Sequence, residues 1–251
     1  MKKKFAIIAL LFMLFSVVSV TASAADPIPD IQIQVGNSDG KPGTSSLSIL
    51  LLVTVLSVAP AILVLMTSFT RIVVVLGFVR SSLGTQQAPP NQVLVGLALF
   101  MTLFIMSPTL SEVNQVALQP YLKGEISQTD ALEKAAVPMK QFMYKHTRNK
   151  DLQLFLSYTK MEQPKAVEDI PITVLVPAYA ISELKTAFQM GFMIYIPFLI
   201  IDIVVSSTLM AMGMMMLPPV MISLPFKILL FVLVDGWYLV VKSLLESFGT
   251  S

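Results

Sequence analysis

Between Lys41 and Arg71 the chain carries no charged residue, and Leu47 to Phe69 is almost wholly apolar. A run of that length and composition suits a helix that crosses a bilayer and suits little else. The rest of the chain agrees, because 55% of its 251 residues are hydrophobic and only 13% are charged. The expected solvent is therefore lipid, at least in part.

Three further apolar stretches follow. Val93 to Leu110 is just long enough to cross a hydrocarbon layer, with Pro108 helping to end it. Ala187 to Met216 and Val220 to Leu245 form a second pair around Leu217-Pro218-Pro219, where successive prolines are expected to stop a helix and make a hairpin. The expected fold class is an all-α membrane protein, with two hydrophobic helical hairpins (47–110 and 187–247) flanking an extracytoplasmic helical domain (111–186). That domain holds nine basic and nine acidic residues, a balance that suits a surface facing water. Within it, Ser127-Gln128-Thr129-Asp130 resembles a capping box, Pro138 is expected to interrupt, and Met139 to Tyr158 has helical apolar spacing.

The chain begins with Lys2 to Lys4, an apolar run from Phe5 to Val20 and the small residues Ala22-Ser23-Ala24. This reads as a secretory signal peptide (1–24) cleaved after Ala24, with an uncleaved first transmembrane helix as the alternative, followed by a flexible tail (25–46) rich in Pro, Asp, Gly and Ser. The mature N terminus then lies outside the cytoplasm. Arg71 and Arg80 place the Thr70–Gln92 link inside by the positive-inside rule, which puts the 111–186 domain and the C terminus outside.

Several function classes fall away. A net charge of +2 without a basic block beyond Lys2 to Lys4 lacks the footprint of a nucleic-acid binder. No cysteine is present, which excludes thiolate metal sites, and with His146 the one histidine neither an HExxH zinc helix nor a Ser-His-Asp arrangement with a second candidate base exists. No Walker or Rossmann glycine pattern occurs. Neither cofactor nor metal is expected, and the chain is not expected to be an enzyme; His146 reads as a solvated residue beside Lys145 and Arg148.

More informative are Asp202, Lys227 and Asp235 inside the second apolar pair, because each would cost several kcal/mol facing lipid and so should face protein or water. Counted from Pro218-Pro219, straight helices place Asp202 and Lys227 roughly 10 Å apart in depth at ~1.5 Å per residue. A pair between neighbouring subunits fits that offset, with snorkelling of Lys227 as the alternative. Met210-Ala211-Met212-Gly213-Met214-Met215-Met216 places five methionines in seven residues beside the turn. Such side chains can form a compliant seal, although ordinary packing is the commoner use. Pro60, Pro197 and Pro225 imply bent helices whose freed backbone groups are satisfied by protein neighbours.

Four stretches closely resemble the FliP family of flagellar export proteins: Ser68 to Leu76, Leu83 to Gln87 with Pro89 to Gln92, Pro177-Ala178-Tyr179 with Ser182-Glu183-Leu184, and Met212 to Lys227. Pro197 to Asp202 adds to the match. The resemblance implies a pore-forming subunit of the type III export gate in the bacterial inner membrane, within the flagellar basal body. In that gate five such chains join FliQ and FliR subunits in a ring-like helical complex, whose hairpins are bent and sit largely above the bilayer plane. FlhA and FlhB export components, FliO during assembly and the exported flagellar proteins are the other implied partners. The resemblance also assigns Met214, Met215 and Met216 to a gasket that narrows the pore, and Asp202 and Lys227 to buried charges. Phe142 and Phe155 are candidate anchors of subunit contact, with packing inside their own chain as the alternative; Glu183 is a candidate for the same contact. A rival reading is an ion-coupled secondary transporter that uses Asp202 as its proton site.

Overall fold

The computed structural model describes residues 53–249, apart from 55, 59, 60, 63, 86, 160–163, 165 and 215. The expected signal peptide and tail, Pro60 and Met215 therefore lie outside the described residues. Leu56–Ser251 forms one compact unit. Among the described residues every regular element is a helix.

Helix α1 spans Phe69–Ser82. It occupies much of the link expected to be a cytoplasmic loop, and Arg71 is buried rather than facing water. The reason lies in its periodicity: Ile72, Val75, Leu76 and Val79 recur on one helical face and are all fully buried. Each such side chain contributes about 1.5–3 kcal/mol on leaving water.

Helix α2 spans Asn91–Val113 and continues through a π-helical turn, Asn114–Leu118, into the short α3, Gln119–Leu122. The result is a single apolar rod of 32 residues. Pro108 lies inside it and does not end it. Helix α4, Gln128–His146, starts at the expected capping box: the Ser127 hydroxyl accepts from the Asp130 N–H while the Asp130 carboxylate accepts from the Ser127 N–H. Pro138 is likewise absorbed within α4. The chain instead turns at Thr147, which is extended, and resumes as α5, Asn149–Thr159.

Helix α6 runs unbroken for 40 residues, Ile172–Ala211, through both Pro177 and Pro197. At about 1.5 Å per residue it is roughly 60 Å long, and it passes straight across Thr186, where the sequence suggested a domain edge. It stops at Gly213, not at the proline pair. Gly213 has φ +77°; its N–H donates to the Met210 carbonyl at 3.0 Å, and the Met214 N–H reaches back to the Leu209 carbonyl at 3.0 Å. That is a Schellman cap, for which glycine has the right conformational freedom.

Pro219–Leu233 (α7) and Gly236–Phe248 (α8) complete the fold. They meet at a bend of 63°, where Asp235 adopts φ 52°. Close packing fixes the corner, since a Cβ built on Gly236 would stand 2.3 Å from the Phe231 ring.

Four apolar segments were expected. Two described helical stretches, Asn91–Leu122 and Ile172–Ala211, are long and apolar enough to cross a membrane, and the bent α7–α8 pair makes a third if it counts as one span. The segment from Leu47 to Phe69 lies partly outside the described residues. Two clusters form the core. The larger joins α1, α2, α6 and α8 through residues such as Leu76, Ala98, Ala187 and Leu244. The smaller joins α4, α5 and the first turns of α6 around Met143, Leu156, Leu175 and Tyr179.

Candidate functional site

Helix α6 carries the polar groups that matter in two places. Near its start, Tyr179, Ser182 and Glu183 share a face at helical spacing, and all three are fully buried. Glu183 receives a fork from Arg71 of α1: Nε donates to Oε2 at 2.8 Å and Nη2 pairs with Oε1. The remaining nitrogen, Nη1, donates to the Ser247 carbonyl at 2.9 Å and to its hydroxyl at 3.0 Å. The guanidinium also lies 3.7 Å over the centre of the Phe248 ring. One cation thus ties α1, α6 and α8 together, with the planar geometry that arginine alone provides.

Neighbouring groups extend this network. The Tyr179 hydroxyl donates to the Thr67 carbonyl at 2.9 Å. The Ser182 hydroxyl donates to Asp151 at 2.6 Å and accepts from the Arg148 N–H at 3.1 Å. Asp151 also takes the Arg148 Nε at 2.8 Å. Burial alone would raise the Asp151 pKa; the hydrogen bonds from Ser182 and Arg148 outweigh it and hold the carboxyl below its ordinary range.

His146 is half-buried, which corrects the solvated reading. Its ring lies 4.9 Å from Phe142 and 5.3 Å from Phe248, centre to centre. Burial, then the charges of Arg71 and Lys145, lower its pKa to about 4.

Farther along α6, Asp202 and Lys227 form an ion pair within one chain, with Nζ 2.6 Å from Oδ2. A pair across two subunits was expected from their depths. The helices do not meet at the prolines, because residues 212–218 belong to the turn. Asp202 lies nine residues before the end of α6 and Lys227 eight residues after the start of α7, so the two stand level. Ser223 donates to the other carboxylate oxygen at 2.6 Å. The Lys227 side chain is 3% exposed and so does not snorkel, while that of Asp202 is 22% exposed. Gly84, at φ +75°, lies beside them: a Cβ there would come 3.7 Å from the lysine Nζ. Asp235 belongs to neither pair and is exposed at the α7–α8 corner.

Of the other candidates, Phe142 is half-buried between the two core clusters, and its ring stacks 6.4 Å from that of Phe248. Phe155 is half-buried against the smaller cluster. Both therefore pack within their own chain. Glu183 is fully enclosed there, with both oxygens engaged by Arg71. The methionine loop points outward: Met212 is 61% exposed, Met214 47% and Met216 97%. Sequence reasoning missed Arg71, Asp151, Ser182 and Ser223 as participants. For Arg71 and Glu183 a signal exists in the sequence, since both lie in stretches that resemble the family, Ser68 to Leu76 and Ser182-Glu183-Leu184. Among the described residues no group of His, Asp or Glu is arranged to hold a metal.

Comparison with known proteins bears on this arrangement. Residues 52–244 match the FliP family. The chain is 68% identical over 212 residues to the flagellar biosynthetic protein FliP of Bacillus subtilis (strain 168), a match covering 84% of this chain and 96% of that one. It is 50% identical over 223 residues to the FliP of Aquifex aeolicus (strain VF5), covering 88% and 92%. The FliP of Pectobacterium carotovorum subsp. carotovorum is 52% identical over 221 residues, covering 88% and 86%.

Proposed function

The chain belongs to the FliP family of flagellar biosynthetic proteins, and from that premise we propose that it is a pore-forming subunit of the flagellar type III protein export gate. In this reading several copies, five by family analogy, join FliQ and FliR subunits in a ring-like helical complex of the bacterial inner membrane and flagellar basal body. Unfolded flagellar proteins pass through its centre, with FlhA and FlhB supplying export and FliO assisting assembly. The chain itself performs no chemistry, and the loop from Met214 to Met216 limits leakage.

The observation that carries this reading is how the polar and apolar groups divide. The buried cations Arg71 and Lys227 find their acids inside the chain, which leaves long helices whose outward faces are oily: Phe100, Phe104, Met193 and Leu233 are each about 70% exposed. A surface like that needs lipid or other subunits against it. Helix α6 is about twice the thickness of a hydrocarbon layer, which supports a position in which part of it is held above the bilayer by neighbours. Residues 111–186 then face outward from the cytoplasm, and the exposed edges of Phe142 and Phe155 are available for subunit contact, while Glu183 shapes that surface by anchoring Arg71. Asp202 as the proton site of a transporter fits less well, since Lys227 and Ser223 already occupy both of its oxygens.

Sizing of the complex extracted from native membranes tests the proposal. A large hetero-oligomer is expected; a monomer or dimer that moves a small solute would overturn it. Replacing Met214, Met215 and Met216 by Ala should raise ion leakage through the assembled gate, and unchanged conductance removes the sealing role. Mass spectrometry of the mature N terminus is expected to find it at Ala25; an intact Met1 to Ala24 segment contradicts the outward topology.

A further inference from the structure

The described methionines differ widely in exposure. Met143 is fully enclosed, Met106 is 1% exposed and Met101 6%. Around the α6–α7 turn the opposite holds: Met210 is 59% exposed, Met212 61%, Met214 47%, Met216 97% and Met221 67%. Among the described residues all of the exposed methionines but Met193, which is 69% exposed on α6, lie within a dozen residues, on a turn whose course is fixed by the Gly213 cap at one end and by Pro218 and Pro219 at the other. Cysteine, the usual competitor for oxidants, is absent.

We propose that this turn is an oxidant-sensitive modification site, at which a peroxide converts Met214 and Met216 to methionine sulfoxide and thereby loosens the seal. The inference rests on the sealing role argued above. In the step itself, a thioether sulfur lone pair attacks one peroxide oxygen as the O–O bond breaks. A sulfur–oxygen bond forms, the departing hydroxide takes up the remaining peroxide proton, and water leaves. Sulfur loses two electrons and hydrogen peroxide gains them.

Chemistry links the step to a change in the pore. A flexible apolar side chain becomes polar and chiral, with an oxygen that demands hydrogen bonds, so a closure made of such side chains takes up water. Methionine sulfoxide reductases reverse the change, which makes it a switch and not merely damage. The buried methionines, shielded by packing, are spared under the same conditions.

The experiment uses the complete gate in membranes, exposed to hydrogen peroxide. Peptide mass spectrometry times the gain of one oxygen at each methionine while ion conductance is recorded in parallel. Met214 and Met216 are expected to oxidise at least on the order of tenfold faster than Met143, with leak rising several-fold and falling back after reductase treatment. A gate carrying Met214→Leu and Met216→Leu, which keeps apolar bulk, should stay closed in peroxide. Equal oxidation of turn and core methionines overturns the site. Selective oxidation with unchanged leak overturns the switch, and if the alanine replacement of the same residues nevertheless leaks, the sealing role survives that failure. Should the alanine gate stay closed as well, the sealing role falls with it.

Discussion

A guanidinium removed from water needs a partner for nearly every N–H, and Arg71 finds them on two other helices: the Glu183 carboxylate on α6, and the Ser247 carbonyl and hydroxyl on α8. Removing the acid alone should therefore hurt more than removing the pair. Glu183→Ala is expected to cost about 3–5 kcal/mol, because it strands a buried charge, whereas joint replacement of Arg71 by Met and Glu183 by Leu should recover most of that loss. Denaturant unfolding of the detergent-solubilised protein measures both, and equal losses would show that the charge was never desolvated. His146 provides a second check. Its pKa is about 4 in the fold against 6.5 for an ordinary histidine, so between those values the unfolded chain binds the extra proton. Stability should accordingly fall as pH drops from 6.5 towards 4, and His146→Phe should flatten that part of the pH profile of Tm. Neither behaviour was readable from the sequence. Arg71 and Glu183 lie 112 residues apart, and the positive-inside rule counts a cation without knowing whether a carboxylate waits for it elsewhere.

Helices were more legible than their ends. Apolar periodicity located the long elements, and the Ser127 capping box marked the start of α4 correctly, because those signals act within a few residues. Some prolines misled. Pro108 and Pro138 sit inside helices that they were expected to end or interrupt, and α6 ends not at the Pro218-Pro219 pair but at a glycine whose left-handed backbone permits the cap. A proline forbids one hydrogen bond, and neighbouring elements can make good that loss; a Schellman turn redirects the chain outright. The fit between elements is tight where α1 crosses α6, since a Cβ on Gly191 would lie 2.5 Å from the Phe78 ring. Gly191→Ala should thus destabilise by about 1–3 kcal/mol through overpacking, with partial rescue by Phe78→Leu. Thermal unfolding of the single and double variants checks this; an unaltered midpoint for Gly191→Ala would mean that the helices separate freely.

For the molecule as a whole, hydropathy gave the right class: the regular elements among the described residues are all helical, with helices apolar and long enough to cross a membrane, while α6 runs through the domain edge expected at Thr186. The exposed faces yield a direct expectation. Phe104, 71% exposed in the middle of the Asn91–Leu122 rod, should not tolerate a charge: Phe104→Arg adds about 2.5–3.5 kcal/mol to insertion and is expected to deplete the protein from the membrane fraction. Tyr158→Arg, at an 84% exposed position on α5, should leave membrane yield unchanged, and equal depletion by both variants would refute the distinction. The 40-residue α6 has one more bearing on the whole. It holds Glu183 and Asp202 nineteen positions apart, each clasped by a different helix, so inserting or deleting one residue between them would swing one anchor about 100° from its mate. Substitutions along that interval leave the register of the two clasps intact, whereas a change in its length breaks it, so the rod works as a ruler.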